Sequence, residues 1–73
     1  MDYILIAYDI PKTKSYLSIK FWGEFNRIKA QKISSSLWML KNNQNNLETF
    51  KKIKEMINQS GGSARVMRVV EIE

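Results

Sequence analysis

The residue with the clearest chemical potential is Asp9, which closes an apolar run near the start of the chain, Tyr3-Ile4-Leu5-Ile6-Ala7-Tyr8. That run predicts a β-strand over residues 3–10. Asp is uncommon in strands because its carboxylate competes with the backbone hydrogen bonds. Lys12 and Lys14 follow shortly after and precede an amphipathic segment. The sequence therefore predicts a carboxylate and two lysines at one strand end, beside the start of a helix.

Three roles suit Asp9 in this position. It could cap the following helix, form the Asx-type turn that is typical of Asp before a loop containing a proline, here Pro11, or hold a metal ion. The two lysines have two interpretations. A phosphate could bind the free N–H groups of the helix start together with Lys12 and Lys14, or both side chains could simply be solvated.

The composition restricts the chemistry. The chain has no Cys and no His, which excludes disulfides, thiolate metal sites, His-ligated zinc and Ser-His-Asp catalysis. Asp, Glu, Lys, Tyr and Ser remain. The lack of Cys also fits a reducing compartment, and the first apolar run is far shorter than the ~20 residues of a transmembrane helix. We therefore expect a cytoplasmic protein with no membrane segment.

The charge predicts an anionic partner. The 73 residues include 12 Lys and Arg against 7 Asp and Glu, a net charge of +5. This excess favours nucleic acid, and a basic surface without a specific partner is the alternative. Besides Lys12 and Lys14, the candidate contacts are Arg27, Lys29 and Lys32, near the end of the first helix, where cations also suit the helix dipole. The lysines within residues 51–54 have the spacing of a solvated helix face.

The hydrophobic periodicity predicts the elements that position these residues. After the first strand we expect a helix over 14–29, then two short strands or one sharply bent strand within 30–40, joined at Ser34-Ser35-Ser36. A helix over 46–60 and a strand over 64–72 follow. Thr13 or Ser15 is predicted to cap the first helix, Asn45 with Glu48 to cap the second, and Gly61-Gly62 to end it. This order predicts one α+β domain over 1–73, of the ferredoxin-like split βαβ type (β-α-β-β-α-β), with two helices on one face of an antiparallel sheet.

The other face of that sheet is predicted to be apolar as well. If Ile4 and Ile6 face the helices, Leu5 and Ala7 face away, and the last strand has apolar residues on both sides. Because monomers rarely expose a large apolar patch, we expect a homodimer packed sheet against sheet, with Asp9 at the interface edge. Five aromatic residues have spacings that predict packing in the core or in this interface rather than base stacking: Phe21, Trp22, Phe25, Trp38 and Phe50.

Two segments resemble motifs of a known family. Residues 6–11, Ile-Ala-Tyr-Asp-Ile-Pro, are similar to the opening "vvYDIp" of the CRISPR-associated Cas-two proteins, and residues 32–38, Lys-Ile-Ser-Ser-Ser-Leu-Trp, are similar to their R-x-Q-x-S-V-F segment. Two sister groups resemble the chain as well: the carboxyl-terminal domain of phenylacetate-pathway repressors and the amino-terminal domain of chromate-resistance regulators. The resemblance covers nearly the whole chain and implies the same ferredoxin-like topology.

The resemblance also implies a function. It implies that the Asp9 carboxylates of two protomers hold Mg²⁺ for endonuclease cleavage of phosphodiester bonds. It further implies binding to the backbone of double-stranded nucleic acid in CRISPR adaptation, with an integrase as a partner protein. The sister groups imply the alternative, a non-catalytic dimerisation or adaptor module of the transcription-regulator type. The chain differs from Cas-two proteins at Ser34, where Gln is usual, and we expect it to lack their additional carboxyl-terminal strand.

Overall fold

The computed structural model describes residues 2–73 and has one four-stranded antiparallel sheet with two helices. The strands are β1 (Asp2–Asp9), β2 (Gln31–Ser34), β3 (Leu37–Lys41) and β4 (Ser63–Val70), and the helices are α1 (Tyr16–Arg27) and α2 (Gln44–Gln59). The chain order is β1-α1-β2-β3-α2-β4, and the strands lie side by side in the order β2-β3-β1-β4. The predicted α+β ferredoxin-like fold is confirmed.

The core lies between the helices and one face of the sheet. Side chains along a strand alternate between faces, so Ile4 and Ile6 of β1 share the helix side, where both are buried. Phe25 of α1 is central: its ring centroid lies 5.0 Å from that of Trp38, 5.5 Å from Tyr8 and 6.1 Å from Phe50. The other buried residues complete the same cluster: Leu17, Phe21, Ile53, Ile57 and Ala64.

The start of α1 differs from the prediction. A 3-10 turn over Lys12–Lys14 follows Pro11 and leads into α1, and no side chain caps either element. The predicted cap by Thr13 or Ser15 is therefore wrong. An N-cap residue needs a non-helical backbone, whereas Ser15 already has a helical one, with φ −57° and ψ −24°.

The start of α2 differs as well, because its cap is Asn43. That residue is extended, with φ −146° and ψ 165°, and its side-chain oxygen accepts a hydrogen bond of 2.8 Å from the Asn46 N–H. The predicted capping box of Asn45 and Glu48 is wrong, since Asn45 lies within the first helical turn. Several asparagines near the start of α2 could cap the helix, and Asn43 does so because its backbone is extended.

Both helices end in the same backbone motif. After α2, the Gly62 N–H donates to the Ile57 carbonyl at 3.0 Å, and Gly61 has φ 97°. This Schellman motif confirms that the glycine pair ends the helix. Lys29 takes the matching left-handed position after α1, with φ 60°. A Cβ at Gly62 would lie 2.6 Å from the Asp9 carbonyl oxygen, so glycine lets the start of β4 approach the end of β1.

The serine run separates β2 from β3, as predicted. β2 ends at Ser34 and β3 begins at Leu37, which leaves Ser35 and Ser36 in the turn. The register between these strands shifts between Lys32 and Ser34, which is the behaviour of a β-bulge. Because β3 is antiparallel to β1 and begins opposite Ala7, the serine turn lies at the same end of the sheet as Asp9.

Candidate nucleic-acid interface

Asp9 is an exposed carboxylate at the last position of β1, opposite Ser63 of β4. It lines a cleft of about 290 Å³ together with Ala7, Ser63 and Arg65. Within residues 2–73 its side chain takes part in no hydrogen bond and no ion pair. No side chain caps the 3-10 turn or α1, so the capping role considered for Asp9 is not what the structure shows.

A divalent metal needs more oxygen ligands than one chain offers at Asp9. Residues 2–73 contain no group of three or more carboxylate, His or Cys side chains that could hold a metal ion. Arg65 pairs with Ala7, two residues before Asp9, so it shares the face of Asp9 as a diagonal neighbour. A guanidinium there competes with a metal for the carboxylate. The residues of a single chain do not fit Mg²⁺, and no catalytic step follows from them.

Lys12 and Lys14 lie in the turn that follows the end of β1, as the sequence predicted, but Lys14 has a partner within the fold. Its ammonium donates a hydrogen bond of 3.1 Å to the carbonyl of Ser60, the residue that ends α2. A cation at this position stabilises the negative end of the α2 dipole. Lys12 is exposed and has no ion pair within the part of the chain that the structure describes.

The structure does not gather the five predicted nucleic-acid contacts into one cluster on a single chain. Arg27 is the last residue of α1 and Lys29 follows it, whereas Lys12 and Lys14 precede the helix. A helix of 12 residues spans about 18 Å. Arg27 also pairs with Glu24 at 2.7 Å. Lys32 lies on the edge strand β2, between these two groups. The candidate contacts therefore run along the domain instead of meeting at one point.

The two arginines of β4 lie on opposite faces, because Arg65 pairs with Ala7 and Arg68 pairs with Ile4. Arg68 donates hydrogen bonds of 3.0 Å to Asp2, and the side chain of Asn42 donates one of 3.1 Å to the same carboxylate. These bonds, that of Arg68 first, lower the pKa of Asp2, and the pKa of Arg68 is raised in turn. Arg68 is thus engaged in the fold, whereas Arg65 forms no ion pair among residues 2–73.

One face of the sheet has no helix over it, and we call it the open face. Its apolar residues come from three strands and are only partly covered: Tyr3, Leu5, Ala7, Leu37, Met39, Met67 and Val69. Asp9 and Arg65 border this apolar area at one end. The predicted alternation along β1 is confirmed, and the structure places Ile4 and Ile6 on the helix side and Leu5, Ala7 and Asp9 on the open face.

A second apolar surface was missed at the sequence level. Trp22 was predicted to pack in the core or in the dimer interface, yet it lies outside the core and is 52% exposed, together with its neighbour Ile19 on α1. Its position at the shoulder of the apolar stripe was the one indication available in the sequence. Trp22 and Ile19 line a groove between α1 and the Ser35-Ser36 turn, which we call the α1 groove: Tyr8, Ser18, Ile19, Trp22, Lys32 and Ser35.

These features define a class of protein: a small ferredoxin-like α+β domain with a basic surface and two exposed apolar areas. No family model, curated protein or solved structure matches the chain. Within residues 2–73, neither helix is long and apolar enough to cross a membrane.

Proposed function

We propose that the chain is a cytoplasmic nucleic-acid-binding protein of the Cas-two superfamily, which forms a homodimer through the open face and holds the backbone of a duplex. The observation that carries the proposal is the set of unpaired cations. The chain has 12 Lys and Arg, and within residues 2–73 Arg27 and Arg68 account for the ion pairs. Unpaired surface cations bind phosphates with little loss of internal contacts.

The homodimer extends this binding surface. The candidate contacts on one chain are spread along the domain, and a twofold axis at the open face doubles them. The charges of the open face are complementary to those of the same face on a second chain. The face carries Asp9 and Arg65 side by side, and neither has an ion pair among the described residues. In an isologous interface each Asp9 can meet the arginine of the other protomer.

The proposed binding is expected to depend on Lys12 and Lys14. Replacing both with Gln removes two phosphate contacts, so the slope of log affinity against log salt should become smaller by about 1 per lysine. Gln at position 14 keeps a donor for the Ser60 carbonyl, which protects the fold. The measurement is fluorescence anisotropy with a labelled duplex between about 50 and 200 mM salt.

Lys51 and Lys52 provide the matched control for this experiment. Both are exposed on α2, and their replacement by Gln changes the net charge by the same amount. If the two double variants lose the same affinity and slope, binding follows overall charge and the contacts at residues 12 and 14 are refuted. Wild-type binding that does not change with salt contradicts the proposed function itself.

Metal-dependent cleavage at Asp9 rests on the family resemblance and requires two protomers, because one chain lacks the donors. Asp9→Asn keeps the size of the side chain and removes its charge. If the dimer cleaves duplex nucleic acid with Mg²⁺, this variant should lose cleavage and bind the duplex equally well or more tightly. The measurement is a gel assay of purified wild type and variant with Mg²⁺, and cleavage that survives in Asp9→Asn removes this residue from the reaction.

The alternative function is a dimerisation or adaptor module without catalysis, related to the transcription-regulator domains. The lone, unpartnered carboxylate at Asp9 favours it over an enzyme. The two functions differ in their requirement for nucleic acid, since an adaptor dimerises and does not bind a duplex at low salt. An integrase partner belongs to the Cas-two proposal and is tested by co-purification with such a protein.

A further inference from the structure

The α1 groove combines an aromatic ring, hydroxyl groups and one cation. It has a volume of about 400 Å³ and is lined by Trp22 and Ile19, by Ser18 and Ser35, and by Lys32 beside Tyr8. No carboxylate contributes to its lining. An indole offers a flat surface for stacking, hydroxyls can donate or accept hydrogen bonds, and an ammonium attracts phosphate. These are the groups that recognise a nucleotide whose base is not paired.

The floor of the groove is fixed before any ligand arrives. The Tyr8 hydroxyl donates to the Ser35 carbonyl at 3.2 Å and accepts a hydrogen bond of 3.3 Å from the Trp38 indole N–H. The Tyr8 ring also stacks on Phe25 in the core. Because these contacts hold the serine turn at a set distance from α1, binding does not require the groove to form first, which lowers the entropic cost.

The stacking surface is accessible from solvent. Trp22 is 52% exposed although its neighbour Phe21 is fully buried. The next residue is Gly23, and a Cβ there would meet no atom within 4 Å, so the helix surface beside Trp22 is open at this position as well. Half of the Trp22 side chain is therefore available to a ligand in the groove that it lines.

We propose that the α1 groove binds one unpaired base of a single-stranded tail, with the base stacked on Trp22 and a phosphate near Lys32. The inference rests on the proposed function, since it adds a second kind of contact to a nucleic-acid-binding surface. The bases of a blunt duplex are stacked on each other and cannot enter the groove, so the site distinguishes a duplex with a single-stranded end from one without. The positive charge and the absence of lining carboxylates favour this occupant over an apolar protein segment.

The test compares three labelled duplexes by fluorescence anisotropy. One is blunt, one has a short single-stranded tail, and the third has a tail of equal length made of abasic nucleotides, which carries the phosphates without bases. The tailed duplex is expected to bind about tenfold more tightly than the abasic one, because stacking of one base on an aromatic side chain commonly has an effect of this order. Trp22→Ala should remove this difference and leave the affinity for the blunt duplex unchanged.

Two further variants sharpen the result. Trp22→Phe keeps a ring and should retain most of the preference for the tail. Tyr16→Ala removes another exposed aromatic residue of α1 that does not line the groove, and it should change nothing. Equal affinity for the normal and abasic tails overturns the inference, and a protein partner then becomes the alternative occupant of the groove. In that case, binding of the blunt duplex still supports the proposed function. If none of the three duplexes binds, both fail.

Discussion

Replacing Phe25 with alanine is expected to lower the free energy of unfolding by about 4 kcal/mol, because removing a buried Phe typically costs 3–5 kcal/mol. The ring is fully buried and touches rings from three other elements, with centroid distances of 5.0 to 6.1 Å. At roughly 0.05–0.15 kcal/mol per residue, a chain of this length has a total stability of about 4–11 kcal/mol. The variant should therefore lose between about a third and all of the stability of the chain.

Urea denaturation followed by tryptophan fluorescence measures this effect, since Trp38 lies against Phe25 and reports on the core. Phe25→Leu is the control, because it keeps most of the apolar volume in the same site and should cost clearly less than Phe25→Ala. If Phe25→Ala shifts the transition no more than Phe25→Leu does, the core does not depend on this ring. The outcome also bears on the α1 groove, whose floor residue Tyr8 is held by Phe25.

The fold could be predicted because its determinants are local in the sequence. The four- and three-residue spacing of Leu17, Phe21 and Phe25 places these side chains on one side of a helix, and all three are buried. Alternation along β1 placed Ile4 and Ile6 together on one face and Leu5 and Ala7 on the other, and the structure shows that the first pair faces the helices. The cap of α2 could not be assigned, because several neighbouring asparagines suit it and only the backbone conformation decides between them.

The candidate site was predicted less well, for a physical reason. Spacing within an element gives the face of a residue, but it does not give the distance between residues of different elements. Lys12 and Lys29 are both predicted nucleic-acid contacts, and the length of α1 separates them. Lys14 lies against the end of α2, which is far from it in sequence. Exposure is equally non-local: Phe21 and Trp22 are adjacent, and only the packing of the sheet against α1 buries the first and leaves the second free.

A charged substitution on the open face is expected to dissociate the proposed homodimer. Met67 lies opposite Leu5 near the middle of this face and is 38% exposed, so Met67→Glu should leave the fold of one chain intact. In a twofold interface the substitution places an unpaired carboxylate from each protomer in an apolar contact. Removing such a charge from water costs several kcal/mol, so the dissociation constant should rise about a thousandfold or more, which corresponds to ~4 kcal/mol.

Val70→Glu is the matched control for the dimer. Val70 belongs to the same strand, is 64% exposed and lies on the opposite face, because it is three residues away. Sedimentation velocity at micromolar concentration should find a dimer for the wild type and Val70→Glu, and a monomer for Met67→Glu. A monomeric wild type would refute the dimer, and equal dissociation by both variants would show that the contact is not the open face. Loss of the dimer should also weaken duplex binding, since each chain then offers half of the cations, whereas a variant that stays dimeric should bind as before.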